Sequence, residues 1–287
     1  MRTIGFIGIG VMGKSMANHL IDAGYDLHIY NRTKKKAEEL LEKGAHWHES
    51  VASLSQISDC IMTMVGYPSD VEAIYFGKDG IIENAKSDSL LIDFTTSKPS
   101  LSEKIAIEAK KFRLNALDAP VSGGDIGAKN KALTIMVGGE ETAFKKAEPL
   151  LKLLGKNIIL QGPSGAGQHT KMCNQITIAS NMIGVTEAIL YAQKSGLNPT
   201  RVLASISQGA AGSWSLENLA PRMINEDTAP GFYIKHFIKD MQIAKETADE
   251  MGLKVPGLTL ALSMYQQLSD QGLDELGTQA LYLLYNE

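Results

Sequence analysis

The chain has 287 residues, a length that accommodates one large domain or two of medium size. Hydrophobic residues make up 44% and charged residues 21%, which excludes a disordered chain, a collagen-like repeat or a coiled-coil rod. The formal net charge of −4 supplies no global basic field for nucleic acid or an anionic membrane.

No apolar run reaches 18 residues, so no transmembrane helix is expected. Met1-Arg2 followed by the uncharged stretch Thr3–Gly13 imitates a secretion signal, but four glycines interrupt it and no small-residue cleavage site follows. Cys60 and Cys173 are too few for a disulfide framework. Both readings point to a cytoplasmic protein with two thiols.

In chain order, Thr3–Ile9 reads as a strand, Val11–Ala23 as a helix, Asp26–Tyr30 as a strand and Lys34–Lys43 as a helix. Asp59–Val65 and Leu90–Phe94 are nearly continuous apolar runs, which suit strands buried on both faces of a parallel sheet. Leu114–Pro120, Ala132–Val137 and Ile158–Leu160 follow as strands, with Glu140–Leu153 a helix between the last two. Strand–helix alternation at this spacing predicts an α/β doubly wound domain.

The pattern changes at the turn cluster Gln161–Gly165. Beyond it a helix of about 30 residues runs to Gln193, spanning roughly 45 Å, with an apolar middle that suits burial among other helices or between subunits. Val202–Gln208, Lys235–Met251, Leu258–Ser269 and Thr278–Leu284 also read as helices. The expected organisation is thus an α/β domain over 1–162 and an all-helical domain over 163–287, joined by the long helix.

Gly8-Ile9-Gly10-Val11-Met12-Gly13 matches G-x-G-x-x-G between a strand and a helix, the context in which the motif binds a dinucleotide. Gly8 permits the tight turn, Gly10 lets backbone approach a pyrophosphate, and Gly13 lets helix pack on strand. The helix N-terminus adds amide donors and partial positive charge. An acid that would bond the ribose 2′-hydroxyl of NAD is absent where the second strand ends; Asn31-Arg32-Thr33 stands there instead. Arg32 suits a 2′-phosphate, with Asn31 and Thr33 as further donors, so NADP is expected in preference to NAD. Thr33 as the N-cap of the next helix is an equally ordinary reading.

Asp118–Gly124 (DAPVSGG) ends a strand with Ser122, Gly123 and Gly124, which reads either as a nest for a carboxylate or as an ordinary turn. Gly165-x-Gly167-x-x-x-Lys171-x-x-Asn174-Gln175 opens the long helix, and Lys171 and Asn174 share a face. On spacing alone Lys171 reads as a solvated lysine, the commoner state. The alternative is a lysine with a lowered pKa beside an apolar run, acting as general acid/base. Lys239-Asp240 follows an aromatic cluster and reads as an exposed pair or a cap contact. Cys173 reads as a packed thiol rather than a nucleophile. His46 and His48 face one side of a strand, but with no third ligand near them in sequence no metal site is assigned.

Taken together, Gly5–Gly13, Asp118–Gly124, Gly165–Gln175 with its Lys-x-x-Asn, and Phe237-Ile238-Lys239-Asp240 resemble the β-hydroxyacid dehydrogenase family over essentially the full chain. The resemblance implies a Rossmann-type domain, a long connecting helix, a helical domain for substrate and oligomerisation, and a homodimer or homotetramer. It implies Lys171 as the catalytic lysine, Asn174 as aligning the reacting group, and Ser122, Gly123 and Gly124 as holding a substrate carboxylate. It extends cofactor contact to Val11, Met12, Met64, Val65, Thr95 and Lys239. The expected activity is hydride transfer between NADP(H) and a small hydroxy acid, semialdehyde or 2-oxo acid, with NAD possible. A non-catalytic NADP sensor and an imine reductase on the same scaffold are the alternatives. The substrate, the strictness of cofactor preference, the subunit count and the physiological direction are not legible in the residues.

Overall fold

Short apolar runs such as Thr3–Ile7 and Leu90–Asp93 cannot hide both faces alone, and the chain joins them into one nine-stranded sheet. The computed structural model describes residues 1–285. It divides into two units, Met1–Lys171 and the residues from Met172 onward.

The first unit holds β1 (Thr3–Ile7), β2 (Asp26–Tyr30), β3 (His46–Trp47), β4 (Cys60–Thr63) and β5 (Leu90–Asp93). It continues with β6 (Asn115–Asp118), β7 (Val121–Ser122), β8 (Leu133–Gly139) and β9 (Gly155–Gly162). Its helices are α1 (Val11–Asp22), α2 (Glu38–Glu42), α3 (Val51–Ser55), α4 (Pro68–Phe76), α5 (Ile81–Asn84), α6 (Pro99–Lys111), α7 (Gly124–Lys129) and α8 (Glu141–Leu151). The sheet order is β3-β2-β1-β4-β5-β6-β8-β7, with β9 also paired to β8.

From β1 to β6 every pairing is parallel, and β4 and β5 are buried at every residue. Alternation sorts their side chains between two cores. Ile4, Phe6, Met62 and Ile92 enter one; Ile7, Ile61 and Leu91 enter the other. β8 runs antiparallel to β6 and β7, so the sheet is mixed. Apolar periodicity carries no sign of strand direction, which is why the sequence does not announce this reversal.

Other departures have local causes. The strand expected over Thr3–Ile9 ends at Ile7 because Gly8, at φ +100°, begins the tight turn. The helix expected over Lys34–Lys43 is split into a 3-10 turn at Lys34–Ala37 and the short α2. Thr33 sits at the N-cap of that turn, but its side chain makes no capping hydrogen bond. α6 was not anticipated, although Pro99 stands at its first position, where proline's fixed φ suits a helix start.

The long helix α9 (Ala166–Lys194) has 29 residues and begins within the first unit. The second unit adds α10 (Pro199–Ile206), α11 (Trp214–Asn218), α12 (Ala220–Ile224), α13 (Ile234–Glu250) and α14 (Pro256–Asp270), then a 3-10 segment at Thr278–Tyr285. Within this unit Met172, Ala179, Met182, Val185 and Ile189 form a buried stripe of α9 at helical spacing. Ile176, Ile178 and Ile183 are only partly covered, and Tyr191 is 74% exposed. Within one chain, therefore, α9 is buried along a stripe rather than all round. No helix among the described residues is long and apolar enough to cross a membrane.

Candidate active site

The glycine loop joins β1 to α1, and the three glycines differ in what confines them. A Cβ on Gly8 would lie 2.1 Å from the carbonyl oxygen of Met64, and one on Gly13 would lie 1.9 Å from that of Gly8. Both positions are closed to a side chain by backbone. A Cβ on Gly10 would meet no described protein atom within 4 Å. Gly10 thus leaves backbone open at the N-cap of α1, the space a pyrophosphate needs. Val11, the first residue of the helix, is 59% exposed, while Met12 packs partly on the core. The residues present fit a dinucleotide.

Asn31 has a structural role beside the expected one. Its Oδ1 accepts from Ile9 N at 3.0 Å, and its Nδ2 donates to Thr33 O at 2.9 Å. The side chain braces the glycine loop against the end of β2 and engages one of its two N–H groups internally. Arg32 is 81% exposed along its side chain, with Nη1 3.1 Å from Asp70 Oδ1. Asp70 also accepts from Tyr67 N at 3.2 Å at the start of α4. Asp70 is thus a partner of Arg32 that local spacing did not reveal.

The ends of β4 and β5 are tied together. Val65 N donates to Thr95 Oγ1 at 3.0 Å. Gln168 Nε2 donates to Thr95 O at 2.7 Å, and Gln168 Oε1 accepts from Ser97 N at 2.9 Å. Thr95 is 1% exposed, so it works as an internal strut between two loops. Met64 and Val65 are partly buried beside it.

Two aspartates stand side by side, because parallel register pairs Asp93 of β5 with Asp118 of β6. Asp118 accepts from Gly165 N at 2.8 Å and Gln168 N at 2.9 Å. A carboxylate placed there also meets the positive end of α9. Burial raises the Asp118 pKa, and those backbone donors oppose the rise. Asp93 Oδ1 accepts from Thr63 Oγ1 at 2.8 Å and from Thr95 N at 3.0 Å, whereas buried Oδ2 has no hydrogen-bond partner among the described residues. Burial pushes Asp93 up to about 6. Both line a cavity of about 10 Å³ with Tyr75, Ser102 and Ser164. That is room for about one water and too little for a substrate.

Lys171 is buried, 6% exposed, and its Nζ donates to Val121 O at 2.9 Å. The solvated lysine that spacing favoured is therefore not what the fold makes. Val121 leads directly into Ser122, Gly123 and Gly124, and the two glycines have φ of +127° and +61°. Those conformations are costly for side-chain-bearing residues and leave the loop backbone unshielded. Within the first unit the lysine and the Ser-Gly-Gly loop are thus brought together from 50 residues apart.

In the second unit a side-chain chain links the remaining residues. Asn174 Nδ2 donates to Gln175 Oε1 at 2.7 Å, and Gln175 Nε2 donates to Asp240 Oδ2 at 2.7 Å. Lys239 Nζ lies 2.8 Å from Asp240 Oδ1. The carboxylate can only accept, so it orients the Gln175 amide, which in turn orients Asn174. Lys239 and Asp240 are 11% and 3% exposed along their side chains, so the expected exposed pair is a buried one. Gln175 and Asp240 are the positioning residues whose role sequence reasoning missed; the signal was an acid adjacent to a lysine on an apolar helix face.

Comparison with known proteins supplies the context for this arrangement. Residues 3–162 match the family model for the NAD binding domain of 6-phosphogluconate dehydrogenase. Residues 165–285 match that for the NAD-binding of NADP-dependent 3-hydroxyisobutyrate dehydrogenase. An uncharacterized oxidoreductase of Bacillus subtilis, YkwC, is 62% identical, covering 99% of each chain. The 2-hydroxy-3-oxopropionate reductase of Escherichia coli is 37% identical, over 97% of this chain and 95% of its own. The structure of Mycobacterium tuberculosis 3-hydroxyisobutyrate dehydrogenase with L-serine is 27% identical, covers all of both chains and superposes with a TM-score of 0.92.

Proposed function

The chain belongs to the β-hydroxyacid dehydrogenase family, and from that premise we propose that it transfers hydride between NADP(H) and a small carbonyl or hydroxy acid with Lys171 as general acid/base. One observation carries the reading. Lys171 is buried, and its Nζ is fixed at 2.9 Å from the carbonyl of Val121, the residue that leads into Ser122-Gly123-Gly124.

A substrate carboxylate accepts hydrogen bonds from Ser122 and from the backbone of Gly123 and Gly124. That places a nearby carbonyl within reach of the lysine. The nicotinamide cofactor, when bound, supplies the hydride. Protonated Lys171 gives its proton to the carbonyl oxygen as the carbon is reduced, so the product is an alcohol. In the reverse direction neutral Lys171 takes the hydroxyl proton. Asn174, one helical turn beyond, aligns the reacting oxygen, and Lys239 serves the cofactor. Gly8, Gly10 and Gly13 shape the pyrophosphate loop.

Arg32 meets the 2′-phosphate, with the Thr33 hydroxyl as a second donor, and Asp70 aims the guanidinium. Asn31 has one N–H engaged with Thr33 O and keeps its second for the phosphate. Cys60 and Cys173 are both free thiols, which suits a reducing cytoplasmic setting. The partly covered isoleucines of α9 suit a homodimer or homotetramer.

The test is Lys171→Ala. Its turnover should fall by about 10²–10⁴ while NADPH affinity stays within a few-fold of the parent. Turnover near that of the parent would remove Lys171 from the chemistry.

A further inference from the structure

On the outer edge of the sheet, three imidazoles and a carboxylate that no role above uses come together. The cause is strand register. β2 and β3 pair in parallel with His28 opposite His46. Asp26 lies two residues before His28 and so points to the same face, as His48 does relative to His46. Residues separated by 18 positions in sequence become neighbours, which is why the pattern His-x-His alone gave no third ligand.

Three donor atoms converge. His28 Nε2 lies 3.4 Å from Asp26 Oδ2, and His46 Nε2 lies 3.4 Å from Asp26 Oδ1. The ligand atoms of Asp26, His28 and His46 all lie within 4.8 Å of one another. Zinc bonds of about 2.0–2.1 Å at tetrahedral angles set ligand atoms about 3.4 Å apart, and each imidazole already stands at that spacing from one oxygen of Asp26.

The hydrogen bonds behind the cluster set the ring that faces it. Ser53 Oγ lies 3.1 Å from His48 Nδ1, and His48 Nε2 lies 2.8 Å from His28 Nδ1. His28 Nε2 is thereby turned toward the Asp26 carboxylate. A ligating histidine characteristically engages its other ring nitrogen in a hydrogen bond of this kind. His46 is 60% exposed along its side chain, giving an ion an entry path and leaving room for water as a further ligand.

We propose that Asp26, His28 and His46 form a binding site for one divalent transition-metal ion of the zinc class, which clips the two-residue edge strand β3 to β2. Two imidazoles and a carboxylate suit zinc, whereas calcium and magnesium favour all-oxygen sets. The site makes no claim on the hydride chemistry.

The test uses untagged protein carrying Cys173→Ser, which removes the exposed thiol as a competing ligand. Zinc titrated calorimetrically should give a saturable isotherm with one equivalent per chain. Asp26→Asn and His46→Gln should each weaken it about ten-fold or more. Zinc should also raise the melting temperature of the parent and not of those variants. A second measurement needs no substitution at the cluster: cobalt(II) added to the same Cys173→Ser protein should develop the intense visible bands of tetrahedral nitrogen and oxygen ligation. Absence of saturable zinc uptake, uptake unaffected by both substitutions, or an octahedral cobalt spectrum would overturn the proposal.

Discussion

The two units hold their buried lysines by different means. In the first, Lys171 donates to a backbone carbonyl, and the neighbouring anchor Asp118 accepts from backbone amides. In the second, Lys239 is ordered by an adjacent carboxylate, and Asn174 by a run of side chains through Gln175 to Asp240. Backbone partners cannot be removed by a single substitution, whereas side-chain partners can. The first arrangement should therefore resist mutation around it, and the second should fail as a unit.

The largest expected effect breaks the second arrangement. Asp240→Ala would leave the mostly buried Lys239 without this carboxylate and Gln175 without its acceptor. Removing one partner of a buried ion pair costs about 3–5 kcal/mol, read as a lower denaturation midpoint in guanidinium. A loss below about 1 kcal/mol would show that the chain from Asn174 to Lys239 is not held by Asp240.

Asp93 probes the first unit at the place where backbone satisfaction is incomplete. Its folded pKa of about 6 lies above the ordinary aspartate value of 3.8, so the folded state keeps a proton that the unfolded state releases. Stability from this group is fully present below pH 3.8 and is lost as pH rises to about 6, by about 3 kcal/mol in all. Asp93→Asn should remove that slope. Unfolding free energies of parent and variant, measured at pH 4 and pH 6.5, should differ in their change by about that amount. Parallel pH profiles would show that Asp93 titrates normally.

The smallest effect concerns Arg32, exposed and held by one carboxylate. Arg32→Ala should raise the KM for NADPH about ten-fold and leave that for NADH unchanged, the cost of one charge-assisted phosphate contact. Equal changes for both cofactors would mean that Arg32 does not distinguish them.

What the sequence made legible follows from the range of the interactions. The glycine loop is legible because its strand, turn and helix are contiguous: Gly13 is confined by the carbonyl of Gly8 and Gly10 is left open, as their spacing implied, although the confinement of Gly8 by Met64 comes from a distant strand. The strand Asp26–Tyr30 is likewise fixed by its own alternation. What failed was long-range. The burial of Lys171 depends on Val121, 50 residues away, and spacing within one helix could not supply it. The hydrogen bond that Asn31 accepts from Ile9 N, 22 residues back, is likewise invisible in the string. Asp70, Asp118 and Gln168 acquire their roles in the same way. Each faces a partner that only the sheet brings near.

The proposed reduction of small carbonyl acids by NADPH can be followed by nicotinamide absorbance with purified protein, NADPH or NADH, and a panel holding glyoxylate, succinic semialdehyde, tartronate semialdehyde and methylmalonate semialdehyde. Turnover of at least one of these acids, with a higher kcat/KM for NADPH than for NADH, is the predicted result. Saturable cofactor binding with no turnover of any acid would contradict the account.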